Sequence, residues 1–237
     1  MAGIGFELRH MLRKNTLLGL LQAYTYASVI GSGPWVLSIV GIRLIGIFSA
    51  SVVVPATLVT QFQTSVTYLV ACSLIYTGLA QLAFTRFVSD RMFERRKHAI
   101  LPNLHGLMAL VLLGAGGLGT LALFFVLPGE GVLYRLLMLA GFTLLCGVWV
   151  LTVLLSGMKR YKAIVALFAL SYGLIVVSAL LMRRWGLEGL LGGFVLGHYV
   201  LLAGMWLLIV REFHPARRMV AFDFLQAGKL YPALVAV

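Results

Sequence analysis

The sequence predicts an all-α, polytopic membrane protein, and two observations carry that prediction. The chain has 237 residues, of which 61% are hydrophobic and only 11% are charged, too few to cover a soluble surface. Its charged residues are also segregated, leaving six uncharged gaps of 28, 42, 32, 23, 20 and 22 residues. A helix needs about 20 apolar residues to cross a bilayer. The gaps are continuously apolar and do not alternate like barrel strands, so they favour six transmembrane helices.

The elements follow in chain order. Residues 1–16 are predicted to form an amphipathic helix on the membrane surface, because Ile4, Leu8, Met11 and Leu12 share one helical face. Residues 17–210 are predicted to form a six-helix lobe, and residues 211–237 a cytoplasmic connector with the start of a seventh, truncated helix. The six spans are expected at 22–47, 55–88, 102–127, 132–156, 163–182 and 187–210.

Prolines and loop charges define these spans further. Pro34 is expected to kink the first span and Pro55 to begin the second. The amino terminus, the loops after spans two and four, and the tail together hold 15 of the 19 basic residues. Positive residues stay in the cytoplasm, so both termini are predicted to be cytoplasmic. The same rule accounts for the net charge of +12 without nucleic acid, and places the loops beside anionic membrane lipid.

The most informative polar pattern is in the outer half of span two. Eight polar residues fall on one broad helical arc, which we call the polar arc: Thr57, Thr60, Gln61, Gln63, Thr64, Ser65, Thr67 and Tyr68. Two interpretations are open. The arc lines a wet cavity, or it forms hydrogen bonds between helices, worth about 0.6 kcal/mol each in a membrane. Eight polar residues over three turns are more than helix packing needs, which favours the cavity.

Span one adds a smaller polar stripe and one buried charge. Tyr24, Ser28 and Ser32 are spaced four residues apart, and Arg43 lies deep in the apolar run. An ionisable residue inside a membrane indicates function by default, although Arg43 is also placed to extend its side chain to the outer interface. The candidate cavity residues are therefore Tyr24, Ser28, Ser32, Arg43, Thr57, Gln61, Thr64 and Tyr68.

Two further patterns concern loops and glycines. The basic residues of the loops after spans two and four form a candidate docking surface for a cytoplasmic partner: Arg86, Arg91, Arg95, Arg96, Lys159 and Arg160. The alternative is a solvated helix end that follows the charge rule. Glycines at 114, 116 and 119 and at 189, 193 and 197 are predicted to pack helices closely. No catalytic set, metal-ligand spacing or cofactor motif is present, so the sequence predicts neither an enzyme nor a cofactor.

Several blocks of sequence resemble one known family. They are Met1–Arg9, Gly19–Tyr24, Ser32–Trp35, Thr85–Arg91 and Gly189–His198. Together they resemble the Pel exopolysaccharide transporter family (PelG), of the multidrug/oligosaccharidyl-lipid/polysaccharide flippase superfamily.

This resemblance implies a MATE-like fold with two lobes of six helices around a central cavity that work by alternating access. It further implies a bacterial inner-membrane exporter of the Pel polysaccharide for the biofilm matrix. The implied partners are a cytoplasmic glycosyltransferase and a cyclic-di-GMP receptor. The family has about twelve spans and this chain has six, so the chain matches the amino-terminal lobe. A structural scaffold that anchors the synthase complex is the alternative function.

Overall fold

A computed structural model describes residues 36–50, 53, 55, 57–126, 129–158, 161–213 and 219–226. These residues form helices and connections, with no strand among them. The helices are α1 (Val36–Ser49), α2 (Thr57–Phe93), α3 (Ile100–Val126), α4 (Val132–Gly157), α5 (Tyr161–Met182), α6 (Gly186–Glu212) and the short α7 (Asp223–Gln226). The surface helix at 1–16, the amino-terminal part of span one and the start of the seventh helix lie outside the described residues.

The chain is an all-α membrane protein. Its described part contains four helical stretches long and apolar enough to cross a membrane, at Thr57–Phe93, Lys97–Leu123, Val132–Ser156 and Ala163–Glu212. The last of these includes both α5 and α6, because a 3-10 turn at Arg183–Trp185 joins them without a break. The total of six crossings stays a prediction.

The turn between α5 and α6 reverses the chain, and close helix contact follows from it. Gly186 adopts a φ of +64°, a conformation that glycine reaches without a steric penalty. A methyl group at Gly189 would collide with the Met182 carbonyl, and one at Gly193 with the Ala179 backbone. One at Gly197 would collide with the side chain of Ile175. The contacts on α5 move towards its amino terminus as those on α6 move towards its carboxyl terminus, so the two helices are antiparallel. The predicted packing role of the three glycines is confirmed.

The other predicted glycine ridge is confirmed only in part. A methyl group at Gly114 would collide with the Tyr76 hydroxyl, and one at Gly119 would lie 2.6 Å from Leu139 Cδ1. A methyl group at Gly116 would have no described residue within 4 Å. Its predicted packing role is therefore not found among the described helices, because it points away from α2 and α4.

Helix α4 is the centre of the bundle and contacts α2, α3 and α6. Its inner half is buried almost continuously from Leu145 to Leu155. The Trp149 indole nitrogen donates a hydrogen bond to Ser73 Oγ of α2 at 2.9 Å. A helix that is apolar on all sides is expected where neighbours surround it, and α4 occupies that position.

The connections between the helices lie at the two ends of the bundle. At one end, Gln61 contacts Glu130, and Arg183 donates to the carbonyl oxygen of Phe48 at 3.0 Å. At the other end, the Ala221 amide donates to the Pro102 carbonyl oxygen at 3.0 Å. This grouping is the one that the loop charges predict, with the first end opposite to the basic loops. We call the first the outer end, after the orientation that the loop charges predict, and the second the basic end.

Residues 219–226 are fixed to the basic end. Asn103 donates to the Asp223 carboxylate at 3.0 Å, and its side-chain oxygen accepts from the Phe224 amide at 3.3 Å. The Phe224 ring is buried against the edges of Phe84 and Phe87 of α2. The segment after α6 therefore joins α2 and α3 at their basic ends.

Candidate functional site

One face of α2 is left uncovered by the other described helices, and we call it the open face. It recurs every three or four residues along the helix, so it forms a continuous stripe. Its exposed residues from Thr57 to Leu82 are Thr57, Thr60, Thr64, Thr67, Tyr68, Ala71, Cys72, Ile75, Leu79 and Leu82. The outer half of the stripe is polar and the inner half is apolar. Helix propensity does not require such a division of the stripe. The division therefore reflects the different surroundings of the two halves.

The polar half of the open face carries hydroxyl groups without partners in the described part of the chain. Tyr68 is 65% exposed, and neither its hydroxyl nor that of Thr64 is hydrogen-bonded to a described residue. Thr67 satisfies its own hydroxyl by donating to the Gln63 carbonyl oxygen at 2.8 Å. A hydroxyl transferred to hydrocarbon without a hydrogen bond costs about 4–8 kcal/mol. Such hydroxyls are stabilised by water, by a polar ligand or by polar groups outside the described residues.

The remaining polar-arc residues face neighbouring helices. Gln61 donates to Glu130 Oε1 at 3.2 Å. Ser65 is buried and donates to the Gln61 carbonyl oxygen, so the Tyr134 hydroxyl donates to Ser65 Oγ at 2.8 Å. Gln63 packs so closely on Gly46 of α1 that a methyl group there would collide with its amide. The helix-packing interpretation thus applies to Gln61, Gln63 and Ser65, and the wet cavity stays a prediction for the exposed residues of the polar arc.

The candidate cavity residues are brought together only in part. Thr57, Thr64 and Tyr68 share the open face, whereas Gln61 is half-buried and bonded to Glu130. Arg43 lies on the exposed side of α1 and forms no ion pair or hydrogen bond with any described residue. Tyr24, Ser28 and Ser32 lie outside the described residues. The open face of α2 is therefore the described core of the candidate site.

The candidate docking residues lie on a helical extension and the turn that follows it. Helix α2 continues to Phe93, five residues past the predicted end of span two, and Arg86 is exposed on it. Arg91 pairs with Glu94 at 2.6 Å, and its guanidinium lies 5.2 Å from the centre of the Phe87 ring. Arg96 approaches the same carboxylate at 3.7 Å. Lys159 and Arg160 lie outside the described residues.

Arg95 ends α2 in an unusual way for a residue with a side chain. Its φ is +59°, and the Arg96 amide donates to the Arg91 carbonyl oxygen at 2.9 Å. This is the geometry of a Schellman cap, in which glycine is the usual residue. The left-handed conformation costs an ordinary residue about 1–2 kcal/mol, and it leaves the Arg95 side chain exposed.

Sequence reasoning missed a polar contact inside the bundle. His198 of α6 is fully buried, and its Nε2 lies 3.4 Å from the Tyr172 hydroxyl of α5. Its Nδ1 lies 2.9 Å from the Phe194 carbonyl oxygen. The available signal was a histidine and a tyrosine in two largely apolar runs, but only the three-dimensional structure shows that the two side chains are in contact.

The comparisons with known proteins agree with this architecture. The family model PelG, described as "Putative exopolysaccharide Exporter (EPS-E)", matches residues 1–237. No curated protein and no solved structure gives a significant match. The match to the family model extends over the entire chain, including the described helices and the open face of α2. This apolar helical membrane protein therefore belongs to the PelG family of exopolysaccharide exporters.

Proposed function

We propose that this chain forms part of a conduit for the Pel exopolysaccharide in a bacterial inner membrane, and that the open face of α2 lines its water-accessible path. The single observation that supports this proposal most is the row of exposed, unpartnered hydroxyl groups in the outer half of a membrane helix. In this proposal both termini are cytoplasmic, and the open face belongs to the amino-terminal lobe of a two-lobe, MATE-like transporter. Alternating access moves the polymer past that face.

The chemistry of the open face suits a neutral or weakly charged sugar polymer. Hydroxyl groups donate and accept hydrogen bonds, as sugars do, and each such bond contributes about 0.5–1.5 kcal/mol net. Contacts of that size break as easily as they form, so a moving chain is not held in place. The apolar inner half of the stripe offers no such partners, so polymer contact is proposed for the outer half.

The first test removes the hydroxyls while keeping the shape. The triple variant Thr60→Val, Thr64→Val and Tyr68→Phe loses three potential sugar contacts, which at about 1 kcal/mol each weakens polymer binding about a hundredfold. Secreted polysaccharide should fall to a small fraction of the wild-type amount, measured with lectin binding on intact cells. The protein should remain in the membrane at wild-type abundance, measured by immunoblot.

The matched control is an exposed threonine elsewhere in the bundle. Thr120 of α3 is exposed, and its hydroxyl donates to the Gly116 carbonyl oxygen at 2.7 Å. Thr120→Val should leave secretion unchanged. Wild-type secretion by the triple variant would reject the open face as a polymer path.

A scaffold that anchors the synthase complex is the second candidate function. It is favoured by the exposed basic residues at the end of α2, where Arg86, Arg95 and Arg96 extend away from the bundle. The proposed partners are a cytoplasmic glycosyltransferase and a cyclic-di-GMP receptor. Charge reversal at Arg86 and Arg95 should then release the glycosyltransferase in a co-purification experiment. Under this alternative the triple variant of α2 should secrete normally.

A further inference from the structure

A hydrogen-bonded chain crosses three helices in the interior of the bundle. The Tyr172 hydroxyl of α5 contacts both Ser38 of α1 and His198 of α6. The ring of Tyr172 also supports α1, because a methyl group at Gly41 would lie 3.1 Å from its Cδ1 atom. His198 and Tyr172 are 0% and 5% exposed. Contact between α1 and the rest of the bundle therefore depends in part on one tyrosine held by one buried histidine.

The hydrogen-bond partners fix the state of the imidazole. A carbonyl oxygen only accepts, so the Nδ1 atom that contacts the Phe194 carbonyl carries the hydrogen. In the neutral ring Nε2 then has a free lone pair, which accepts from the Tyr172 hydroxyl. When Nε2 binds a proton from solution it becomes a donor, so the Tyr172 oxygen must accept and the hydroxyl hydrogen must turn to Ser38. One proton thus reverses the direction of the whole chain.

No charged group faces the imidazole to balance that proton within the described part of the bundle. The titratable group that faces it from α5 is Tyr172, and α2 presents the apolar ring of Phe62 to Phe194 beside it. On α4, Cys146 interacts with Tyr76 of α2. Arg43 of α1 is exposed. A buried, unpaired charge is costly, so a protonated His198 favours any arrangement in which water reaches the ring.

Helix α1 is the element whose displacement would admit that water. Half of its described residues are exposed, including Ile39, Val40, Arg43 and Ile47, so α1 packs against the described bundle along one face only. We propose that His198 is a proton-binding site whose occupancy controls the packing of α1 on α5, so that acidification releases α1. The link from α1 to transport rests on the proposed export function, but the proton site itself does not.

The test measures the position of α1 directly. Spin labels are attached to the full chain in lipid nanodiscs through Ile39→Cys on α1 and Leu113→Cys on α3, in a Cys72→Ala background. Both labelled positions are exposed, and Cys146 is buried. Electron-electron distance distributions are recorded between about pH 8 and pH 5, the range in which histidine changes charge. If the packed ring stays neutral and the released ring has the ordinary histidine pKa of about 6.5, the ratio of released to packed molecules should rise about thirtyfold between pH 8 and pH 5.

Three variants separate the proton site from other causes. His198→Gln keeps an amide for hydrogen bonding but binds no proton, so its distribution should not change with pH. Tyr172→Phe keeps the ring contact with Gly41 but breaks the link to Ser38, so its response should be smaller than that of the wild type. The matched control is His98→Gln in the exposed turn after α2, which should respond like the wild type.

Two results would overturn the proposal. The first is a wild-type distribution that does not change over this pH range, which by itself requires no variant to fold. The second is a wild-type response that persists in His198→Gln, in which case His198 is a core hydrogen-bonding residue only. The distance measurement needs no polysaccharide, so neither result bears on the export proposal. That proposal is tested separately by the secretion of the α2 triple variant.

Discussion

Replacement of Gly193 by alanine should destabilise the bundle because two helix backbones meet at that residue. The new methyl group would lie 2.8 Å from the Ser178 carbonyl carbon and closer still to the Ala179 backbone. Ordinary van der Waals contact begins at 3.4 Å and the Ala179 Cα atom would lie at 2.5 Å, so α5 and α6 must separate by at least about 0.9 Å. Backbone atoms cannot rotate away from a clash as a flexible side chain can. The strain therefore spreads along the helical hairpin.

The magnitude follows from two terms. Overpacking of this kind costs about 1–3 kcal/mol. The hydrogen bond from Ser178 Oγ to the Gly193 carbonyl oxygen, now 3.0 Å, would also stretch, and such a bond contributes about 0.6 kcal/mol in a membrane. Alanine has a higher helix propensity than glycine by up to about 1 kcal/mol, which opposes both terms. A second glycine-to-alanine variant has the same gain in helix propensity, so comparison with it cancels this contribution.

Gly173 supplies that control, because it lies on the same helical hairpin and a methyl group there would have no described residue within 4 Å. The free energy of unfolding of Gly193→Ala should be about 2–4 kcal/mol lower than that of Gly173→Ala, as the propensity gain cancels. Steric trapping in bicelles measures this free energy for membrane proteins. Equal values for the two variants, within about 0.5 kcal/mol, would refute the close approach of α5 and α6.

Two further predictions concern the basic end. Arg95→Gly should raise the free energy of unfolding by up to about 1 kcal/mol, because glycine adopts the left-handed cap conformation without strain. An unchanged or lower thermal midpoint in detergent would contradict the φ of +59° at Arg95. Asn103→Ala should free residues 219–226 from α3, because it removes the bonds to the Asp223 carboxylate and the Phe224 amide. At about 1.5–3 kcal/mol for the lost bonds, amide exchange in that segment should accelerate roughly tenfold to a hundredfold. Exchange in the centre of α4 should stay unchanged, and a segment that exchanges at the wild-type rate would show that Asn103 does not hold it.

The positions of the helices follow closely from charge segregation. The spans predicted at 132–156 and 187–210 compare with α4 at Val132–Gly157 and α6 at Gly186–Glu212. The largest difference is at the end of α2, which continues past 88 to Phe93. There the helix leaves the predicted apolar run, and pairing of Arg91 with Glu94 supports the additional turn. Apolar length marks where a span ends but not where its helix ends.

The candidate site could be predicted from the sequence only in part. Helical periodicity placed eight polar residues on one arc of α2, but it did not separate Thr64, which is exposed, from Ser65, which bonds to Tyr134. That separation depends on which side α4 packs against, a tertiary property. The same limit applies to His198 and Tyr172, since nothing in the spacing of residues on two different helices shows that they face each other.

The central claim is that the outer half of the open face of α2 is in contact with water, and thiol labelling tests it most directly. Thr64→Cys in a Cys72→Ala background is compared with Leu118→Cys on α3, which is also exposed and lies at a similar depth from the outer end of its helix. A membrane-impermeant maleimide added to cells should label Thr64→Cys readily and Leu118→Cys hardly at all, because a thiol in hydrocarbon does not ionise. Equal protection of the two positions would place the open face against lipid or protein and contradict the proposed polysaccharide path.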